Sequence, residues 1–135
     1  MRRVALIVED DPELQKAMRD RLTQMDFEVR SALHYEAAVG HLAADEPSLV
    51  CVDLELPTQS GYELCEHIRG PLGLGRVPIL VTSDSGFPED MASAEEAGAN
   101  AFLKKPFSMR EFGTFVEALL ERTQSGAASE RYPRS

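Results

Sequence analysis

The sequence predicts an α/β fold in which a five-stranded parallel sheet is covered by helices on both faces. Five short strand-like runs, at 4–8, 27–32, 49–54, 77–82 and 101–103, are spread along the chain, and all but the second are nearly continuous in apolar residues. Continuous apolar runs suit strands buried on both sides, because a strand with one wet face would alternate. Stretches with helical spacing separate the runs, and strand–helix alternation implies right-handed crossovers between parallel strands.

The first run, Val4 to Val8, leads into a helix. Asp11 is placed as its N-cap, Pro12 fits the first helical position, and Leu14, Ala17, Met18, Leu22 and Met25 recur at helical spacing. Phe27 to Ala32 reads as a weaker strand, followed by a short helix from about His34 to Ala44 that turns Ala38, Val39 and Leu42 inward. Leu49 to Leu54 is the third strand, and Pro57 and Gly61 interrupt the chain before a helix from Tyr62 to Arg69. Val77 to Thr82 is the fourth strand, with Pro78 near its start, where a missing donor is tolerated. Pro88 opens a helix that ends near Ala97, before Gly98. After Ala101 to Leu103, Ser108 and Glu111 form a Ser-x-x-Glu capping box. The last helix carries a buried stripe of Phe112, Phe115, Val116, Leu119 and Leu120, with Gly113 as an unfavourable interior residue. From Thr123 the apolar period stops, which predicts a folded domain at 1–122 and a flexible tail or linker start at 123–135.

Composition narrows the function. A chain of 135 residues with 43% hydrophobic and 27% charged residues suits one globular domain. No apolar stretch approaches the roughly 20 residues that cross a bilayer. The run after Met1-Arg2-Arg3 is too short for a signal peptide, so a cytoplasmic location without membrane association is expected. The net charge of −9 argues against direct nucleic-acid binding, which depends on basic groups neutralising phosphates. Cys51 and Cys65 lack metal-ligand spacing and read as buried thiols. His34, His41 and His67 show no ligand spacing either and are expected at the surface or partly packed.

Polar residues with a shared chemistry follow four of the strands: Glu9 and Asp10, then Asp53, then Thr82 and Ser83, then Lys105. In an open parallel sheet the carboxyl ends of the strands lie along one edge, and ligands bind in the crevice there. Acids, a hydroxyl and a lysine converging with a divalent cation are suited to holding a phosphoryl group on a carboxylate.

These residues resemble the receiver domains of two-component response regulators over roughly residues 3 to 122. The resemblance rests on Ala5-Leu6-Ile7-Val8-Glu9-Asp10-Asp11, Asp53-Leu54-Glu55-Leu56-Pro57 with Gly61 eight residues after the aspartate, Val81-Thr82-Ser83, and Lys104-Lys105-Pro106-Phe107. It implies the doubly wound, flavodoxin-like strand order 2-1-3-4-5. It also implies that Asp53 accepts a phosphoryl group from a phosphohistidine on a sensor histidine kinase or phosphotransfer protein. Mg²⁺ or Mn²⁺ would then be held by Asp10 and Asp53, by the backbone carbonyl of Glu55, and by Glu9 through water. Lys105 would pair with the phosphoryl oxygens, and Lys104 is expected to be a solvated strand-end charge. The bond from Lys105 to Pro106 is expected to be cis. Thr82 is the implied switch hydroxyl and Phe102 the switch aromatic, acting by population shift on an output protein or on an effector domain outside this chain. Phenylalanine lacks the hydroxyl of the tyrosine common at that position. Asp11 is assigned to capping rather than to metal binding.

Three rival functions follow from the same residues. A flavin module on this fold is disfavoured because Glu9, Asp10 and Asp11 would repel a cofactor phosphate. An aspartate-nucleophile phosphatase needs a second acid two residues after the nucleophile, and Glu55 with Pro57 matches poorly. A non-phosphorylated pseudo-receiver, acting only as a protein-binding module, would not need the acids and lysine that are all present. No enzymatic turnover of outside substrates is expected. Glu55 and Asp84 are further expected to form an acidic rim that repels small anionic phosphodonors.

Overall fold

The computed structural model describes residues 3–125, and among these five strands alternate with five helices. In chain order they are β1 (Arg3–Val8), α1 (Pro12–Gln24), β2 (Phe27–Ala32), α2 (Tyr35–Ala44) and β3 (Leu49–Asp53). Then come α3 (Gly61–Arg69), β4 (Ile79–Ser83), α4 (Pro88–Glu96), β5 (Ala101–Lys104) and α5 (Met109–Ser125). All pairings are parallel and the sheet order is β2-β1-β3-β4-β5, as expected. The order of the first and third strands puts Glu9 and Asp53 at the tips of neighbouring strands.

Side chains alternate across the sheet and feed two cores. Ala5, Ile7, Leu49, Cys51 and Leu80 pack on Met18 and Leu22 of α1 and on Phe112, Val116 and Leu119 of α5. Leu6, Val8, Val50, Val52 and Val81 face Ala38, Leu64, Ile68, Met91 and Ala94 from α2, α3 and α4. Fully burying one such aliphatic side chain stabilises the fold by about 1.5–3 kcal/mol, so this two-sided packing makes the sheet a rigid platform for its polar edge. Both cysteines lie inside it, where burial pushes the Cys65 thiol up to about 12 and moves Cys51 upward as well.

Several boundaries differ from the sequence expectation for local reasons. β4 begins at Ile79, two residues late, because Pro78 has no N–H and the Ile79 N–H is taken by Asn100 Oδ1 at 2.8 Å. Asn100 is itself oriented by Arg69, whose half-buried guanidinium also donates to the carbonyls of Leu74 and Gly98. His34 lies outside α2 as its N-cap, with Nδ1 accepting from the Ala37 N–H at 3.3 Å. α5 passes the expected end at 122 and runs to Ser125. In this last stretch the Thr123 hydroxyl donates to the carbonyls of Leu119 and Leu120, a contact with no apolar signature. The rest of the expected tail, 126–135, lies outside the described residues.

The caps at Asp11 and Ser108 form as expected: Asp11 Oδ1 accepts from the Glu13 N–H, and Ser108 Oγ from the Glu111 N–H, each at 3.0 Å. Gly113 has a packing role the sequence does not reveal. A Cβ there would come within 2.6 Å of the Arg21 guanidinium, which crosses from α1 and donates to the Met109 carbonyl.

Candidate functional site

Each polar residue of the site inherits its position from the strand that ends beside it. The Glu9 N–H donates to the Ala32 carbonyl at 3.0 Å, so the chain keeps its sheet direction one residue past β1 and the Glu9 side chain is 1% exposed. Asp10 follows in the exposed turn, and the Asp11 N–H donates to Glu9 Oε2 at 3.0 Å. Asp53 closes β3 at 3% exposure, and its Oδ1 accepts from the Glu55 N–H at 2.9 Å. From the β5 end, Lys105 places its Nζ 3.1 Å from Asp53 Oδ2 and 3.0 Å from Glu9 Oε1. The Lys105–Pro106 peptide is cis.

Carboxylate oxygens of Glu9, Asp10 and Asp53 lie within 4.8 Å of one another. Three acids against one ammonium leave a deficit of positive charge if all are ionised. Burial pushes Glu9 up from 4.5 to about 7; the Asp11 N–H and the Lys105 ammonium oppose this, and the Asp53 charge adds to it. Burial pulls Lys105 down, but Glu9 and Asp53 outweigh it and hold the ammonium above its ordinary value. Glu9 Oε1 meets Lys105 as an ion pair and has no well-aligned hydrogen bond of its own. An all-oxygen donor set with a buried, under-satisfied carboxylate oxygen fits a small hard cation such as Mg²⁺.

Thr82 is buried and lies beside Asp53 in the β3–β4 register. Ser83 follows, and its carbonyl accepts from the Lys105 N–H at 2.7 Å, which ties the β4 and β5 ends together. Phe102 is fully buried in the core that contains Met91 and Ala94 of α4. Lys104 is exposed beside the site. Glu55 and Asp84 are both exposed at the edge of the site, and the Glu55 carboxylate also accepts from Ser83 Oγ at 2.7 Å and from the Asp84 N–H at 2.9 Å, which makes it a bridge. None of the three histidines joins Glu9, Asp10 and Asp53, which make the one metal-capable cluster among the described residues.

Two residues have roles at the site that the sequence reading did not assign. Gln15 is buried in α1 and donates from Nε2 to the carbonyls of Glu9 and Ala32 at 3.0 and 3.1 Å, pinning the turn that presents the acids. Its signal was a glutamine in register with Met18 and Leu22 on the buried stripe. Gly61 is the second, because a Cβ there would meet the Asp53 carbonyl oxygen at 2.5 Å and the Leu54 Cα at 2.8 Å. Both neighbours are backbone, so the acceptor loop would have to shift. Gly61→Ala is expected to destabilise the fold by about 2–3 kcal/mol, measured by urea denaturation. An unchanged midpoint would show that the loop yields freely.

The fold is thus a doubly wound parallel sheet with an acid cluster and a lysine at its carboxyl edge. The chain belongs to the response regulator receiver domain family, whose family model matches residues 5–117. It is 35% identical over 122 residues to the transcriptional regulatory protein GltR of Pseudomonas aeruginosa, covering 90% of this chain and 50% of that protein. The chain thus spans about half the length of the curated relatives it matches. A putative response regulator from Chloroflexus aurantiacus is similar in structure, with a TM-score of 0.82, 32% identity and coverage of 90% of this chain and 100% of that one. A CheY-like receiver domain protein from Methanospirillum hungatei shares the fold at a TM-score of 0.85 and 22% identity, covering 93% of this chain and 99% of that one. The fold and the two-component receiver family are therefore those implied by the strand-end motifs.

Proposed function

We propose that this chain is a phosphoacceptor switch, and that Asp53 takes a phosphoryl group from the phosphohistidine of a sensor histidine kinase or phosphotransfer protein. The observation that supports this most is the Asp53 carboxylate at a strand tip, 3.1 Å from the Lys105 ammonium and clustered with Glu9 and Asp10. An Asp53 oxygen attacks phosphorus, the P–N bond breaks, and its electron pair remains on the imidazole nitrogen, which takes a proton from solvent. The product is an aspartyl phosphate.

Lys105 pairs with the arriving phosphoryl oxygens as a point charge, and the Thr82 hydroxyl donates to one of them. Asp10 and Asp53 would ligate Mg²⁺ or Mn²⁺ directly, with the Glu55 carbonyl and, through water, Glu9. When bound, that ion supplies the positive charge that lets an anionic carboxylate approach an anionic phosphoryl group. Fixed cations and donors are most of what a protein contributes to phosphoryl transfer, and all of them here are strand-end groups.

The response is a population shift in which Thr82 moves toward the phosphoryl group and Phe102 takes the space it leaves. The output is a partner protein or an effector domain outside this chain. Residues 1–122, with α5 continuing to Ser125, form the receiver unit. The proposed site of action is the cytoplasm; separately, none of the described helices is long and apolar enough to cross a membrane. Aspartyl phosphate formation and loss are the whole chemistry, with no turnover of outside substrates.

The test is intact mass after incubation with Mg²⁺ and a small acyl phosphate. One added phosphoryl group, absent when a chelator is present, is the expected result. A folded protein that never gains it would be a pseudo-receiver.

A further inference from the structure

The segment after β4 is held almost without packing. Of residues 84–90 none is buried, and Phe87 is 67% exposed. Hydrogen bonds therefore fix its course, and they form one continuous chain. Glu55 Oε2 accepts from Ser83 Oγ at 2.7 Å, and Oε1 accepts from the Asp84 N–H at 2.9 Å. Ser83 Oγ accepts in turn from the Ser85 N–H at 3.0 Å. Ser85 Oγ donates to Asp90 Oδ2 and accepts from the Phe87 N–H at 3.1 Å. The Asp90 carbonyl receives the Tyr62 hydroxyl at 3.1 Å, which brings in α3. Phe87, at the N-cap of α4, has no side-chain cap bond, so the serine network does that work.

The chain begins at the acceptor. Glu55 donates its N–H to Asp53 Oδ1 at 2.9 Å while its carboxylate reaches across the crevice to the end of β4. Ser83 stands between Thr82 and the clamp, and its carbonyl accepts from the Lys105 N–H. A displacement of Thr82 toward Asp53 that carries its backbone also moves the neighbouring hydroxyl that Glu55 grips. A fully buried hydroxyl cannot trade its partner for water, so the clamp must follow or break.

We infer that the Glu55 side chain is a positioning residue: it clamps the β4–α4 segment to the acceptor loop and couples the state of Asp53 to the first turn of α4. This role is separate from that of the Glu55 backbone carbonyl, and its phosphorylation-dependent part rests on Asp53 being the acceptor. It gives the rim carboxylate a geometric role beside its charge. Glutamine tells the two apart, because its amide oxygen can accept from the Asp84 N–H and its NH₂ can donate to the second lone pair of Ser83 Oγ, which keeps both contacts without the charge but reverses the direction of the one to Ser83.

The experiment is amide hydrogen exchange by NMR on the metal-free chain, with global stability followed by urea denaturation. Glu55→Ala and Ser83→Ala should each speed exchange at the Asp84 and Ser85 amides about tenfold, and Glu55→Gln less than about threefold. The double variant should exchange no faster than the singles, because both remove one clamp. Unchanged exchange in Glu55→Ala, or Glu55→Gln as fast as Glu55→Ala, overturns the clamp. A second arm adds Mg²⁺ and beryllium fluoride as a phosphoryl mimic. Amide shifts across 84–90 in the unaltered chain should shrink at least about threefold in Glu55→Ala, while those at Asp53 and Thr82 persist. Equal shifts in both proteins overturn the coupling. If the unaltered chain shows no response to the mimic, the acceptor reading fails and the metal-free exchange still decides the clamp.

Discussion

Asp53→Asn should abolish phosphorylation: in Mg²⁺ and a small acyl phosphate, labelling should fall by at least about a thousandfold, as when a nucleophile is removed. Asparagine has the same shape, and its amide oxygen can still accept from the Glu55 N–H, so the loop keeps that contact. The amide lacks the charge and the lone-pair basicity that attack phosphorus. The exchange also puts an NH₂ or a neutral oxygen opposite the Lys105 ammonium, which then pairs with Glu9 alone. Intact mass measures the loss, and a urea titration confirms that the variant is folded. Labelling that survives in Asp53→Asn would mean that another acid, Asp10 foremost, accepts the group.

Lys105→Met should destabilise the metal-free fold by about 3 kcal/mol at pH 8, because it leaves two buried carboxylates without their shared cation. Glu9 and Asp53 are both nearly inaccessible, so water cannot replace the ammonium. The loss should be smaller at pH 6. Burial raises Glu9 from 4.5 to about 7 in the folded protein, so between those values the unfolded chain has released a proton that the folded chain retains. Stability then falls as pH rises through that window. Lys105 opposes the rise in Glu9, and removing it moves the folded value higher and extends the loss to higher pH. Urea midpoints at pH 6 and 8, with chelator present, measure the difference. A penalty that is equal at both pH values would exclude Glu9 protonation as its source. Added Mg²⁺ should restore part of the stability in the Lys105→Met variant by binding only the folded cluster.

How much of the site was legible follows from how each residue gets there. Glu9, Asp10, Asp53, Thr82 and Lys105 directly follow or end apolar runs, so a parallel topology alone sends them to one edge. Asp11 and Ser108 were legible because capping is settled within a few residues of chain. Gln15 left only a weak mark, a polar residue on an apolar stripe. Gly61 could be read as a turn, but the backbone it leaves room for belongs to Asp53 and Leu54. Gly113 reads from sequence as an unfavourable helix residue, because the Arg21 guanidinium it makes room for comes from another helix. Glu55 read as a rim charge because sequence gives its distance from Asp53 along the chain and not the serine it faces on another strand.

From sequence alone came the alternation of elements, the identity of the edge and the residue types that meet there, because apolar periodicity and short-range capping act along the chain. Folding in three dimensions decided the rest: the raised Glu9 carboxyl, the orientation of Gln15, the empty Cβ positions at Gly61 and Gly113, and the partners of Glu55. Each of these depends on what a residue distant in sequence brings within a few ångströms. Burial, close approach and hydrogen-bond direction are properties of that encounter, which no single segment contains.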